Sequence, residues 1–194
     1  MATKRVLESR DALRLLVPGP LALVTTMYRD QPNVMTAGWL LPLSFDPVLI
    51  GVAIHPGRLT HEFATKSEVF ALNIPNVDLI SAVHACGMTS GREGDKWDAT
   101  GLTPAEAVEI EAPLVAECVA HIECGLMDRR MWGDHDLFVG RVLAVQADDE
   151  AFQGSWQIEE DAGRLLHHLG ADRYAGLGKP YRMLAEGEEE GDRR

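Results

Sequence analysis

Through its first half the chain reads as short apolar runs broken by turn residues, the pattern of strands at close spacing. "LALVTTM" (21–27) is rich in β-branched residues and stops at "YRDQP", whose Asp and Pro suit a turn. "NVMTAGWLLPLSFDP" (33–47) lies where a buried strand should run. "VLIGVAI" (48–54) is continuous apolar sequence closed by Asp-Pro and "HPG", which predicts a strand covered on both faces, and "VFALNIP" (69–75) predicts another. "CVAHIECGL" (118–126) alternates. Cys118, Ala120, Ile122, Cys124 and Leu126 form one apolar face, and Val119, His121, Glu123 and Gly125 a mixed one. "DLFVGRVLAVQADD" (136–149) adds a strand with Gly140 as a bulge or close-approach point.

Helical patterns interrupt the strands. Residues 8–16 form an amphipathic stretch with Ser9 as N-cap and "VPGP" (17–20) as breaker. Helices are also predicted over 60–67, over 76–87 with Asn76 as cap and Gly87 as stop, and over 103–111. The expected fold is mainly β (α+β), a small barrel with helical insertions. No repeat or low-complexity linker divides it. The organisation read from this is an N-terminal helix in 1–18, one domain over 19–180, and an acidic, solvated tail over 181–194 that contains "EGEEEGDRR".

A length of 194 residues at 46% hydrophobic content suffices for a sizeable core, and a formal net charge of −12 argues against a nucleic-acid surface, which needs a basic stripe. The three cysteines have no C-x-x-C spacing, and Cys118 and Cys124 would stand roughly 20 Å apart on one strand, too far for a disulfide. That usage fits a reducing compartment. The N-terminus lacks a signal-peptide apolar core, and no apolar run reaches the roughly 18 residues of a membrane span, so a cytoplasmic location is expected.

Four segments carry candidate chemistry. In the first, Asn33 and Thr36 offer hydrogen bonds, Gly38 permits close approach, and Trp39 supplies a flat face with one N–H donor, a set suited to a planar ligand with polar edges. The same residues equally suit a strand start, ordinary β propensity and core. In the second, "HPGRLTHEF", Arg58 and Thr60 precede a helix whose first N–H groups are free, a phosphate-binding arrangement or a plain helix start. The third, "SGREGDKW", sets Arg92 and Lys96 in a glycine loop that either delivers a cation or is solvated. The fourth, "WGDHDLFVG", puts His135 in a turn, as ligand contact, proton donor or turn partner. His121 and Glu123 make an H-x-E without the P-C-x-x-C of zinc deaminases. The spacing of His61, His135 and His168 supports no metal site.

In order along the chain, "GPLALVTT", "PNVMTAGWLLPLSFDP", "IGVAIHPGRLTHEF", "FALNIP", "SGREGDKW", "APLVAECVAHIEC" and "GDHDLFVGRVLAV" resemble the flavin reductase-like family, close to flavoredoxins, from about Gly19 to about Tyr174. The resemblance implies an FMN-binding split β-barrel, a homodimer with flavin sites near the subunit interface. It places Asn33, the Met35 backbone, Thr36 and Trp39 against the flavin, Arg58 and Thr60 at its phosphate region, and Lys96 reaching it from the glycine loop. His135 matches the family's "GDH" histidine, and His168 lies where relatives bring a side chain near the ring. One departure is that Pro47 is followed by Val48, where the family pattern often has a second proline.

The function so implied is hydride transfer from NAD(P)H to FMN and on to an acceptor: free flavin, a ferric chelate or a protein. No general base is needed, so no catalytic residue is assigned, and no metal is expected. Two alternatives remain on sequence: a flavoredoxin-type electron carrier without NAD(P)H turnover, and a non-catalytic barrel binding another ligand such as haem.

Overall fold

The computed structural model describes residues 8–9, 11–16 and 19–181. In chain order its elements are α1 (Asp11–Leu16), β1 (Gly19–Pro20), β2 (Ala22–Tyr28), β3 (Gln31–Ala37), β4 (Leu40–Phe45), β5 (Val48–Ile54), α2 (Leu59–Ser67), β6 (Val69–Ile74), a 3-10 turn (Val77–Leu79), α3 (Ile80–Met88), α4 (Lys96–Thr100), β7 (Pro104–Ala105), β8 (Leu114–Val115), β9 (Ala120–Trp132), β10 (His135–Ala147), β11 (Leu166–Gly170) and β12 (Arg173–Gly176). The acidic tail read from the sequence lies, but for Tyr181, outside the described residues, as do Val17 and Pro18 of the expected breaker.

Seven strands form one antiparallel sheet in the order β3-β2-β6-β9-β10-β5-β4. Its two edges, β3 and β4, are consecutive in sequence and joined only by Gly38 and Trp39. Three residue steps span at most about 11 Å, so the sheet has to curl until its edges nearly meet. The result is a barrel left open along one seam. The segment expected as one strand over 33–47 is therefore two, parted at the seam.

The inner face holds Val24, Met35, Val52, Ile54, Phe70, Cys124 and Phe138, drawn from six of the seven strands, and Ala64 of α2 packs in the same cluster. The outer face of β2 and β3 is covered too: Leu21, Leu23 and Val34 pack with Val83 and Cys86 of α3, Trp97 of α4 and Cys118. β6 is buried on both faces, as its sequence predicts, and so is most of β2, although Thr25 and Thr26 interrupt its apolar sequence. β5 meets that expectation only toward its end, since Val48 is exposed and Val52 and Ile54 are buried. Cys118 and Cys124 belong to different cores and not to one face, because Cys118 precedes β9 in an irregular segment.

Two helical expectations change. No helix forms over 103–111. β7 pairs with β8, and the Val108 and Glu109 N–H groups donate to the Glu123 carboxylate at 3.0 and 2.7 Å, in place of the carbonyls a helix would supply. Glu123 is fully buried beneath that segment, so the mixed face of β9 is covered. Gly87 does not stop α3, which runs on to Met88. It sits inside the helix, where an added Cβ would lie 3.5 Å from that of Thr36. Asn76 does cap the preceding turn, its side chain accepting from the Asp78 N–H at 3.2 Å.

Candidate functional site

The seam opens onto a cavity of about 450 Å³, within the roughly 300–1,000 Å³ usual for ligand pockets. Met35, Thr36, Gly38 and Trp39 line it from the β3–β4 crossing. Trp39 is not core, being 40% exposed, and its ring packs on His135 at 4.7 Å between centroids, with His55 a further 5.3 Å from His135. The β4 register seats this wall, since the Ala53 N–H donates to the Trp39 carbonyl at 2.9 Å. Thr36 turns its hydroxyl to the Val83 carbonyl of α3 at 2.5 Å. α3 contributes His84, Gly87 and Met88, and the β11–β12 hairpin contributes His168 and Tyr174.

Arg58 lines the same cavity from the N-cap position of α2. Its side chain has no hydrogen bond or ion pair among the described residues and does not cap the helix, leaving early backbone N–H groups of α2 without a side-chain acceptor. Glu62, the acid of that first turn, is held by Lys66 at 2.6 Å and Arg92 at 2.7 Å. Those two hydrogen bonds put its pKa below the ordinary carboxylate range.

Asn33, Lys96 and the glycine loop border a second cavity of about 400 Å³, with Gln31, Arg92 and Trp97. Asn33 donates to the Thr60 hydroxyl at 2.8 Å, which ties this cavity to the first turn of α2. Gly91 is where the loop has to be glycine, since an added Cβ would collide with the Asn33 amide oxygen. Lys96 is not a loop residue. It opens α4, is 6% exposed and donates to the Cys86 carbonyl at 2.8 Å. Burial holds its pKa below the usual lysine value. The neighbouring Cys86 works against that shift and the Arg58 charge adds to it. Two cations close enough to feel each other, with no carboxylate on either among the described residues, suit an anion.

Four histidines are held by side-chain hydrogen bonds. His61 pairs with buried Asp136 at 2.7 Å, and His135 with exposed Asp134 at 2.7 Å. His168 bonds the Ala171 carbonyl at 2.9 Å, and His121 the Asn73 amide oxygen at 2.9 Å. The sequence-predicted residues thus divide. Met35, Thr36, Trp39, Arg58, His135 and His168 line the first cavity, Asn33 and Lys96 the second, and Thr60 stands buried at the helix start that links them. Sequence reasoning missed His55, His84 and Tyr174. His84, Gly87 and Met88 carried a signal, since positions i, i+3 and i+4 of a helix share one face.

Residues 13–174 match the family model for the flavin reductase like domain. The FMN-binding protein from Thermus thermophilus, solved with bound p-hydroxybenzaldehyde, is similar with a TM-score of 0.81 at 29% identity, over 95% of this chain and 100% of that one. Flavoredoxin of Desulfovibrio vulgaris (Miyazaki F) gives 0.81 at 27% identity, over 98% and 100%. The NADH-dependent FMN reductase of Streptomyces nodosus subsp. asukaensis is 29% identical over 165 residues, 84% of this chain and 82% of that protein.

Proposed function

Because the chain belongs to the flavin reductase-like family, we propose that it binds FMN and acts as an oxidoreductase, taking reducing equivalents from NADH or NADPH and passing them to an acceptor. The observation that carries this is a ring-lined cavity beside two cations, Arg58 and Lys96, that have no carboxylate partner among the described residues and flank a helix start without a side-chain cap. Bound FMN would supply the hydride and electron chemistry. The chain's own residues bind and orient it: Trp39 and His135 give the flat wall, the Met35–Gly38 backbone lies along the cavity, and Arg58, Lys96 and the first turn of α2 with Thr60 receive the phosphate. His55 and His168 border the remaining space, where a nicotinamide would enter.

The same reading includes a homodimer in the cytoplasm. Support for the dimer is the apolar exposure of the β4 edge, where Leu41, Leu43 and the 99% exposed Phe45 face outward. No helix among the described residues is long and apolar enough to cross a membrane.

The experiment is the visible spectrum of the purified protein, with mass identification of the heat-released chromophore, before and after anaerobic NADH and NADPH. Flavin bands, released FMN and bleaching by either nicotinamide are expected. FMN without bleaching would leave an electron carrier of the flavoredoxin kind, and a protein that takes up no FMN would end the reading.

A further inference from the structure

One buried polar cluster lines neither cavity. Nε2 of His61, on the first turn of α2, lies 2.7 Å from the Asp136 carboxylate of β10, and the two side chains are 11% and 6% exposed. An ionised carboxylate only accepts, so the imidazole donates. The His61 ring also meets Phe138 edge to face at 5.1 Å. Arg129 of β9 reaches the same carboxylate oxygen at 3.5 Å and donates to the Thr65 hydroxyl at 3.1 Å, and that hydroxyl donates to the His61 carbonyl at 2.7 Å. Two successive turns of α2 are thus tied to two strands.

The ends of this tie stand at the two halves of the site. His61 directly follows Thr60 and comes three residues after Arg58, at the anion end. Asp136 directly follows His135, whose ring packs on Trp39. Successive side chains of a strand point to opposite faces, so Asp136 holds β10 from behind the ring wall.

We propose that His61 is a positioning residue that fixes the distance between the ring wall and the anion-binding turn of α2, so that the site favours a flavin whose phosphate stands at FMN's distance from its ring. This rests on the FMN reading and adds its geometric control. Stability alone does not call for such a pair, because each buried charge loses its hydration and an apolar pair of similar volume serves a core as well or better. What apolar packing lacks is direction. A helix resting on Phe138 alone can slide, whereas a short hydrogen bond braced by Arg129 fixes the offset of α2 against β10. Ring and phosphate then bind as one bivalent ligand, and the fixed offset sets the effective concentration of the second contact once the first is made. His61 lines neither cavity, so it acts through Arg58 and Thr60 on one side and His135 on the other.

The test measures FMN and riboflavin by fluorescence titration of flavin-free protein, and inorganic phosphate by its competition against FMN. His61→Phe keeps a ring on Phe138 and removes the donor, while His61→Gln restores an N–H at similar reach. His61→Phe should weaken FMN about tenfold and leave riboflavin and phosphate each within about twofold, and His61→Gln should return FMN to within about threefold of the native affinity. Folded His61→Phe that binds FMN as the native protein does, or loses riboflavin or phosphate as strongly as FMN, overturns the positioning role. So does His61→Gln that binds FMN no better than His61→Phe. If His61→Phe shows no cooperative urea unfolding, Asp136→Asn, which keeps an acceptor without its charge, carries the same test: FMN weakened about threefold with riboflavin unchanged is expected, and no selective loss overturns the role. In each of these cases the native protein still binds FMN and that reading stands. Native protein that takes up no FMN overturns the reading, and the positioning role with it.

Discussion

The two cavities are nearly equal in size, about 450 and 400 Å³, but they are built from different materials. The first is walled by rings whose polar atoms keep unused hydrogen-bonding capacity. The second is walled by backbone and charge: Asn33 is bound to Thr60, Arg92 to Glu62, and Asp95 caps α4, which leaves Lys96 with spare donors. The difference separates recognition of a planar surface from retention of an anion, and α2 joins the two tasks because Arg58 and Thr60 stand at its start. A ligand with a ring at one end and a phosphate at the other matches that division.

Four substitutions sharpen or break the comparison. Glu123→Ala touches neither cavity but orphans the Val108 and Glu109 N–H groups, so stability should fall by about 2–4 kcal/mol. Urea unfolding checks this, and FMN affinity should be unchanged; a parallel loss of FMN would mean that the cavities report only global stability. Lys96→Met should weaken FMN by about ten- to a hundredfold and leave riboflavin, which lacks the phosphate, unaffected in fluorescence titrations. Equal losses would erase the distinction between the cavities.

The Lys96 pKa shift adds a pH dependence. Its depressed pKa means that anion affinity fades with rising pH before an ordinary lysine would discharge. Ligand-free stability moves the opposite way. Between the depressed and the ordinary value the unfolded chain holds a proton that the folded one lacks, so stability rises with pH across that window.

Trp39→Ala, on the ring side, should weaken FMN and riboflavin alike by about tenfold. Gly87→Ala is the smallest change. The new Cβ meets Thr36 at ordinary contact distance, so α3 should gain about 0.5–1 kcal/mol, seen as a higher urea midpoint.

The both-face burial of β6 was legible from its apolar run, whereas the same expectation for β5 held only toward its end, and the first turn of α2 was legible from Arg58 and Thr60. The seam was not. A strand over 33–47 and two strands on opposite edges of a curled sheet have the same local pattern, and only the pairing partners of β3 and β4 distinguish them. The segment 103–111 misled for a related reason: its helix propensity was outweighed by one distant carboxylate, Glu123, that captured two of its N–H groups. Lys96 was found by type and misplaced by context, because glycines before it suggested a loop while Asp95 starts a helix at that point. Tyr174 gave no signal, since its partner His84 lies 90 positions away.

Arg58, without an ion-pair partner among the described residues, belongs to a chain of net charge −12, and that contrast sets a rate as well as an affinity. At low ionic strength a dianion approaching from afar meets the repulsion of the whole molecule, and only within about 10 Å do the local cations prevail. Added salt removes the distant repulsion first. Stopped-flow capture of FMN should therefore accelerate with salt, pass through a maximum and then slow, the molecule governing the approach and one guanidinium the arrest.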